Sequence, residues 1–591
     1  MMLVRMLTLT SKSAVFSAIL SILFAGVAYS ALPLTGKADV TTPSYEKVAQ
    51  SPVDETFCDV GSSANHWDPS AKHPQAEGCR AKRNGGYVWG MTAVNENLWF
   101  GTVNNGWCGW LLVTGVFVPT ETDKWVCESS MSHFPKQRNE EGNLLYPKNG
   151  ALLQADWRPP SIYRFNTGDS TLDKVTSDNP KLDQLLHRSF GFRGAGTLGD
   201  LVFMAANPID SSERKVFILA FDGKSGAFID GVEIAGYSNL RKLEIIRDPK
   251  GQAGLYLFAG SNINARELSP NHLLRWTGSP DAPFGNDPSD ATPGFDVVGA
   301  LGSIGIGAEM IEHRGRIIFT TWGSNSQAAG LYMTNEVPVG GFTPANPARF
   351  QNIFGADDFD PDPVNADGWL GGALGELDGS VVWGTMHPNG MSYHALAAVY
   401  PELVGDDRAI KHSHRRTHLF KTNLEDVDNP ATEVLYGEAK LMAYDKGHWI
   451  EKPNRLDQIP TLGASGYGEF LNDYTWTIVK WNKSLYIGTF DVSGGVESLI
   501  RSDIEKKDAH VLHTLGTELQ HWDYTPGFDL FRMDSTERPV QAVTIDGFAN
   551  RSSNGIRNAI VVENSLYLGT STYSNLDLQD GGWELYRLTS K

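Results

Sequence analysis

The chain has few cysteines, few basic residues and few long apolar runs. Cys58, Cys79, Cys108 and Cys127 are the only four cysteines in 591 residues, and all fall in the first quarter. No C-x-x-C spacing occurs, which excludes a c-type haem attachment and weighs against the rival reading of a zinc site. In an oxidising compartment an even, clustered set reads as disulfides. Of the three possible pairings, Cys58–Cys79 with Cys108–Cys127 closes two short local loops. Past Val27 no stretch reaches about 20 consecutive apolar residues, so the sequence after it offers no membrane-spanning helix.

Positive charge is also scarce: 50 Lys and Arg stand against 69 Asp and Glu, a net charge of −19. Such a field repels phosphate backbones, and nucleic acid is not an expected partner. It suits solubility, or cations. The sequence contains no G-x-S-x-G elbow, H-E-x-x-H pair, Walker loop or dinucleotide fingerprint after a strand. Long amphipathic helices are missing too, which argues against an α/β barrel.

Residues 1–30 have the pattern of a signal peptide. Arg5 and Lys12 supply the charged start, Ala14 to Val27 the apolar run, and Ala28-Tyr29-Ser30 the small residues before a cut. An uncleaved anchor helix is the alternative, for which the run is short and broken by Ser17 and Ser21. The expected location is secreted, periplasmic or at the cell surface.

One phrase recurs, an apolar β-rich strand ending in Gly-Thr or a variant of it. Leu98-Trp-Phe-Gly-Thr102, Val381-Val-Trp-Gly-Thr385, Leu485-Tyr-Ile-Gly-Thr489 and Leu566-Tyr-Leu-Gly-Thr570 are the clear copies. Leu201-Val-Phe-Met-Ala205, Leu255-Tyr-Leu-Phe-Ala259 and Ile317-Ile-Phe-Thr-Thr321 bring the number to seven. Each follows an apolar strand and a polar turn, as in Ala559 to Val562 followed by Glu563-Asn564. Each precedes a loop and a third strand, such as Trp583 to Arg587.

A four-stranded meander repeated seven times is a propeller pattern, because one such sheet cannot cover its own two faces. The expected fold is all-β, a seven-bladed β-propeller spanning 87–591. Uneven spacing of the phrase implies loop insertions at about 107–160, 386–416 and 440–468. Hidden blades in the two long gaps, giving eight or nine, are the alternative. The last unit ends at its third strand, so its outermost strand is expected from the N-terminal segment, residues 31–86, closing the ring.

Tyr87-Val-Trp-Gly-Met with Leu98-Trp-Phe-Gly-Thr resembles the repeats of exported β-propeller proteins, as does Asn554-Gly-Ile-Arg557 with Leu566-Tyr-Leu-Gly-Thr. The resemblance covers most of the mature chain and implies a fold, not an activity. It also implies a ligand site at one mouth of the central channel. Two places past the Thr position stand Asn104, Asn207, Ser261, Gly323, His387, Asp491 and Thr572, mostly polar. They read either as a ring for a ligand or as side chains that shape turns. Glu309 and Arg557, near the starts of first strands, are expected at the same mouth.

Two metal sites are conceivable. His412-Ser-His414, if extended, puts both rings on one face, and with His387 and Asp491 offers ligands for a transition metal. Lys411, Arg415 and Arg416 oppose that with positive charge. Asp358, Asp360 and Asp362 alternate as in calcium loops, although the glycine falls late and two prolines intervene; a solvated acidic loop is the other reading. The functional expectation is a binding protein for a glycan, a small molecule or a protein partner at the channel mouth, with Trp107, Trp110 or Trp322 as stacking platforms. A hydrolase, lyase or oxidoreductase using a divalent metal is the alternative, and a purely structural envelope protein a third.

Overall fold

The structure, a computed structural model, describes residues 43–68, 77–113, 120–132, 134, 156–210, 213–260, 270–287, 289–324, 327–388, 391–404, 406–495 and 524–590. The signal-peptide pattern lies outside the described residues.

Strand-forming sequence dominates, and the hairpins between strands have a local cause. Arg314-Gly315, Asp378-Gly379 and Asn482-Lys483 each place two consecutive residues at positive φ between paired strands. Two-residue turns of that kind match the strand twist and fix the register of the pair.

Among the described residues the strands form seven antiparallel meanders of four, called units 1 to 7 here. Their first strands are Gly85–Val94, Ser189–Leu198, Asn239–Arg247, Ile306–His313, Leu370–Leu377, Asn472–Trp481 and Ser553–Val562. Their second strands are Asn97–Asn104, Leu201–Pro208, Ala253–Gly260, Arg316–Trp322, Ser380–Met386, Ser484–Asp491 and Ser565–Thr572. These carry the recurring phrase and are buried almost throughout, because each is flanked by strands and covered on both faces. Aliphatic and aromatic side chains fill the gaps between neighbouring units; Phe203, Ile218, Leu243 and Leu257 do so between units 2 and 3.

The two ends of the chain meet. Unit 7 takes its fourth strand from Ser44–Gln50, which pairs antiparallel with Glu584–Thr589, Tyr45 opposite Leu588 and Gln50 opposite Glu584. Ser571 of unit 7 in turn bridges Tyr87 of unit 1.

Insertions leave the units between strands. Between the second and third strands lie 105–161 in unit 1 and 387–418 in unit 5, each partly outside the described residues. A hairpin of Lys440–Asp445 with His448–Pro453 follows unit 5. Unit 6 carries a further insertion, residues 492–529, which the phrase spacing alone did not separate from an ordinary long unit. Disulfides join Cys58 to Cys79 and Cys108 to Cys127, which points to an oxidising compartment. Among the described residues no helix is long and apolar enough to cross a membrane.

Beside them lies a buried ion network. Lys82 reaches Asp156 at 2.8 Å and Glu55 at 3.4 Å, while Arg158 reaches Glu55 and Asp156, both at 2.9 Å. Glu128 stands 3.6 Å from both cations. The network ties the N-terminal segment to the unit 1 insertion.

Candidate functional site

Every first strand slips register at a matching position, and those of units 1, 2, 6 and 7 slip a second time nearer their start. The matching slips leave out Trp89 in unit 1, Arg193 in unit 2, Arg241 and Lys242 in unit 3, and Ala308 and Glu309 in unit 4. Units 5, 6 and 7 leave out Gly372 with Ala373, Trp476 and Arg557. A bulge re-aims the side chain it releases from the ladder. Here the released side chains meet one another from different units.

Arg557 of unit 7 donates to Glu309 of unit 4 at 3.1 Å, and Arg241 of unit 3 donates to the same oxygen at 3.4 Å. Lys242 stands 3.9 Å from the other carboxylate oxygen. Arg193 and Arg241 place their guanidinium carbons 4.6 and 4.1 Å from the Trp322 ring centre. Arg193 also lies 5.1 Å from the Trp89 ring, and Arg557 5.9 Å from that of Trp476. Cation–π contact of this kind partly offsets the loss of water. Arg241, Glu309 and Arg557 are buried, Arg193 half-buried and Lys242 exposed.

The charges are unbalanced. Among the described residues, Arg193, Arg241, Lys242 and Arg557 face two carboxylates, Glu309 and Glu244, the latter 3.6 Å from Lys242. Burial opposes the Glu309 charge, but Arg557, Lys242 and Arg241 outweigh it and hold its carboxyl below the ordinary value. Burial drives Arg241 down to about 9 against the pull of Glu309. Burial, then the charges of Arg241 and Arg557, push Arg193 well below the ordinary guanidinium value.

Glu309 and Arg557, read from the sequence as candidates, are thus brought together. Arg193 and Arg241 were missed. Their signal was the common position in the first strand, visible only once the slips align the seven strands.

The polar residues past the second strands behave as local ties. Asn104 donates to the Pro159 carbonyl at 2.6 Å, and Thr572 to the Ser552 carbonyl at 2.9 Å. Asn207 accepts from the Leu240 backbone at 2.9 Å and donates at 3.1 Å to Asn239, which also accepts from Arg193 at 3.1 Å. Asn207 is therefore one hydrogen bond removed from the cluster. Ser261 and the Trp110 side chain lie outside the described residues; Trp107 is packed beside Cys108 and Cys127.

The histidines do not assemble as the alternating motif suggested. Residues Asp407–Ser413 form a helix, with Asp406 accepting from the Arg408 backbone at its start. His412 therefore lies on that helix against Trp449, and His414 beyond it against Phe470. His414 lies 3.1 Å from the Phe470 carbonyl, and burial brings its pKa down to about 4. His387 meets the Thr385 hydroxyl at 2.8 Å and the edge of Trp369; burial, then the charges of His418 and Arg415, hold it well below its ordinary value. Asp491 accepts from the Ser493 backbone at 2.6 Å, and burial raises its carboxyl to about 8.

The acidic loop is likewise committed to the fold. Asp358 accepts from the Gly355 backbone at 2.8 Å. Asp360 pairs with Arg415 at 2.8 Å. Asp362 caps the helix Pro363–Asp367 and accepts from the Tyr444 backbone at 2.8 Å. The alternation therefore builds caps and a buried ion pair, not a solvated loop. Among the described residues no three His, Cys, Asp or Glu side chains group as a metal site.

No family model matches the chain, and no curated protein does. Solved structures do. The β-propeller domain of the Trilobed protease from Pyrococcus furiosus is 8% identical over 86% of this chain and 96% of that one, with a TM-score of 0.33. The chain is similar to β-propeller domains. A prolyl endopeptidase structure is 9% identical over 85% of this chain and 50% of that one, with a TM-score of 0.35. The polysaccharide lyase Uly1 is 10% identical over 80% and 98%, with a TM-score of 0.29. The chain spans about half the length of the endopeptidase it matches.

Proposed function

We propose that the protein is an exported seven-bladed β-propeller, closed by its N-terminal strand, whose central channel binds a small ligand. Seven meanders, the pairing of Ser44–Gln50 with Glu584–Thr589 and the Ser571–Tyr87 bridge support that architecture. The cysteine pairs and the N-terminal charge and apolar pattern support export.

The observation that carries the binding role is the convergence of Arg193, Arg241, Glu309 and Arg557 with Trp89, Trp322 and Trp476. Aromatic side chains with a few converging polar groups are the usual lining of a small-molecule site. A set of charges serving stability alone is more simply replaced by apolar packing.

The test is calorimetric titration of the mature protein with a panel of neutral sugars, amino acids and organic acids. The same panel is then run on the double variant Glu309→Met/Arg557→Met, which removes both partners of the central ion pair together. Ligands bound by the wild type and lost by a folded double variant support the reading. Ligands bound equally by both place binding elsewhere and overturn it.

A further inference from the structure

We propose that the channel site takes an anion, specifically a ligand carrying an oxyanion group such as a carboxylate or sulfate, held by Arg193 with Arg241 beside it. The inference rests on the channel-binding reading and adds the ligand's chemistry to it.

Two independent observations agree. The first is charge. Four cationic side chains and two carboxylates come together from units 2, 3, 4 and 7, in a chain whose overall charge is negative. A cation held out of water without a counter-charge is costly. Glu309 is already shared between Arg241 and Arg557. The Arg193 side chain has one described hydrogen bond, from Nη1 to the neutral Asn239.

The second is hydrogen bonding. Among the described residues, Arg193 Nε, Trp322 Nε1 and Asn239 Nδ2 have no hydrogen-bond partner. Asn239 is 0% exposed and Trp322 7%. Arg193 links the three, since it bonds Asn239 and lies over the Trp322 ring. All three unused atoms are donors. Buried donors of native proteins normally find an acceptor, and three unused donors favour a group made of acceptors. A neutral sugar offers hydroxyls but no charge, and a metal cation meets both the wrong sign and the wrong hydrogen-bond polarity. The flat guanidinium fork matches two oxygens of one carboxylate or sulfate. Arg193 is the least buried of the three arginines.

The experiment is titration calorimetry of the mature protein with sodium sulfate and, separately, sodium malonate, at ionic strength held constant with chloride. Saturable binding of one or both anions is expected, the stronger of the two showing whether a tetrahedral sulfate or a planar carboxylate fits. Arg193→Gln should weaken it by roughly tenfold or more, the scale of a charged hydrogen bond. Arg193→Lys keeps the charge but loses the fork, and should weaken it several-fold; this variant decides the matter if Arg193→Gln does not fold. Equal affinity in a folded Arg193 variant, or no saturable binding of either anion, overturns the inference. If neutral ligands still bind and are lost in the Glu309→Met/Arg557→Met protein, the anion inference alone falls. If they too fail, the channel reading falls with it.

Discussion

Arg557 and Glu309 are 248 residues apart in sequence and 3.1 Å apart in space. They come from the seventh and fourth units, so the bond joins two units that are not neighbours in sequence. Glu309 is also the acceptor for Arg241. One carboxylate thus serves two guanidiniums that would otherwise repel each other at close range.

Glu309→Gln should be costly for that reason. It leaves Arg241 and Arg557 buried without a counter-charge, and a loss of about 3–5 kcal/mol is expected. Urea denaturation of the single variant and of Glu309→Met/Arg557→Met checks it. The double variant should lose less than the single one, because it leaves no charge stranded.

The network around Lys82 offers a second contrast. Two cations there face three acids, and burial, together with Asp156, lifts the surplus acid Glu128 to about 7. Lys82→Met should therefore cost about 3–5 kcal/mol, while Glu128→Gln should cost much less. Thermal melts of both variants at pH 8 decide between this account and one in which all five groups matter equally.

Stability should fall as pH rises from neutral. Burial lifts Asp491 from 3.8 to about 8 and, with the Asp491 charge, lifts Asp529 well above its ordinary value. The folded state then holds protons that the unfolded chain releases near pH 4, so their stabilising effect is lost as pH climbs to the folded pKa. His387 and His414, pulled below 6.5, act oppositely and erode stability as pH falls under that value. Between about pH 6.5 and 8 the carboxyl slope is not opposed by these histidines. Asp491→Asn should flatten it by about 2 kcal/mol across that window, visible in urea midpoints at pH 6.5 and pH 8.

Opening the Cys58–Cys79 loop should act on the joint between the chain ends. The bridge spans 21 residues of sequence, and Cys58→Ser/Cys79→Ser should cost about 3 kcal/mol by loop entropy. Deleting residues 44–50 should be worse, since it bares Glu584–Thr589 as an unpaired edge. A lower melting temperature and concentration-dependent aggregation are the expected readouts.

Much of the fold was legible because the second strand of each unit is buried on both faces and so repeats an apolar phrase. Leu98, Leu485 and Leu566 mark it plainly. The insertion 492–529 was not legible, because spacing alone cannot tell a long unit from an ordinary one with an excursion. The site was half legible. Glu309 and Arg557 were visible near strand starts, but Arg193 looked like one polar residue in Phe192-Arg193-Gly194, and its role depends on a register slip that no residue type announces. Asn104, Asn207 and Thr572 were read either as ligand groups or as turn-shaping side chains, and each is bonded to nearby backbone. His412 and His414 misled through an assumed strand where Asp406 starts a helix.

The joint between Ser44–Gln50 and Glu584–Thr589 also bears on when the molecule can become itself. Ser44–Gln50 has no partner in its sheet until Glu584–Thr589 has been made. During synthesis the seventh unit therefore lacks its fourth strand's pairing until Glu584–Thr589 has been made, more than five hundred residues after Ser44–Gln50. That joint is a contact of the greatest sequence separation, and such contacts are slow to form because a long loop must close first.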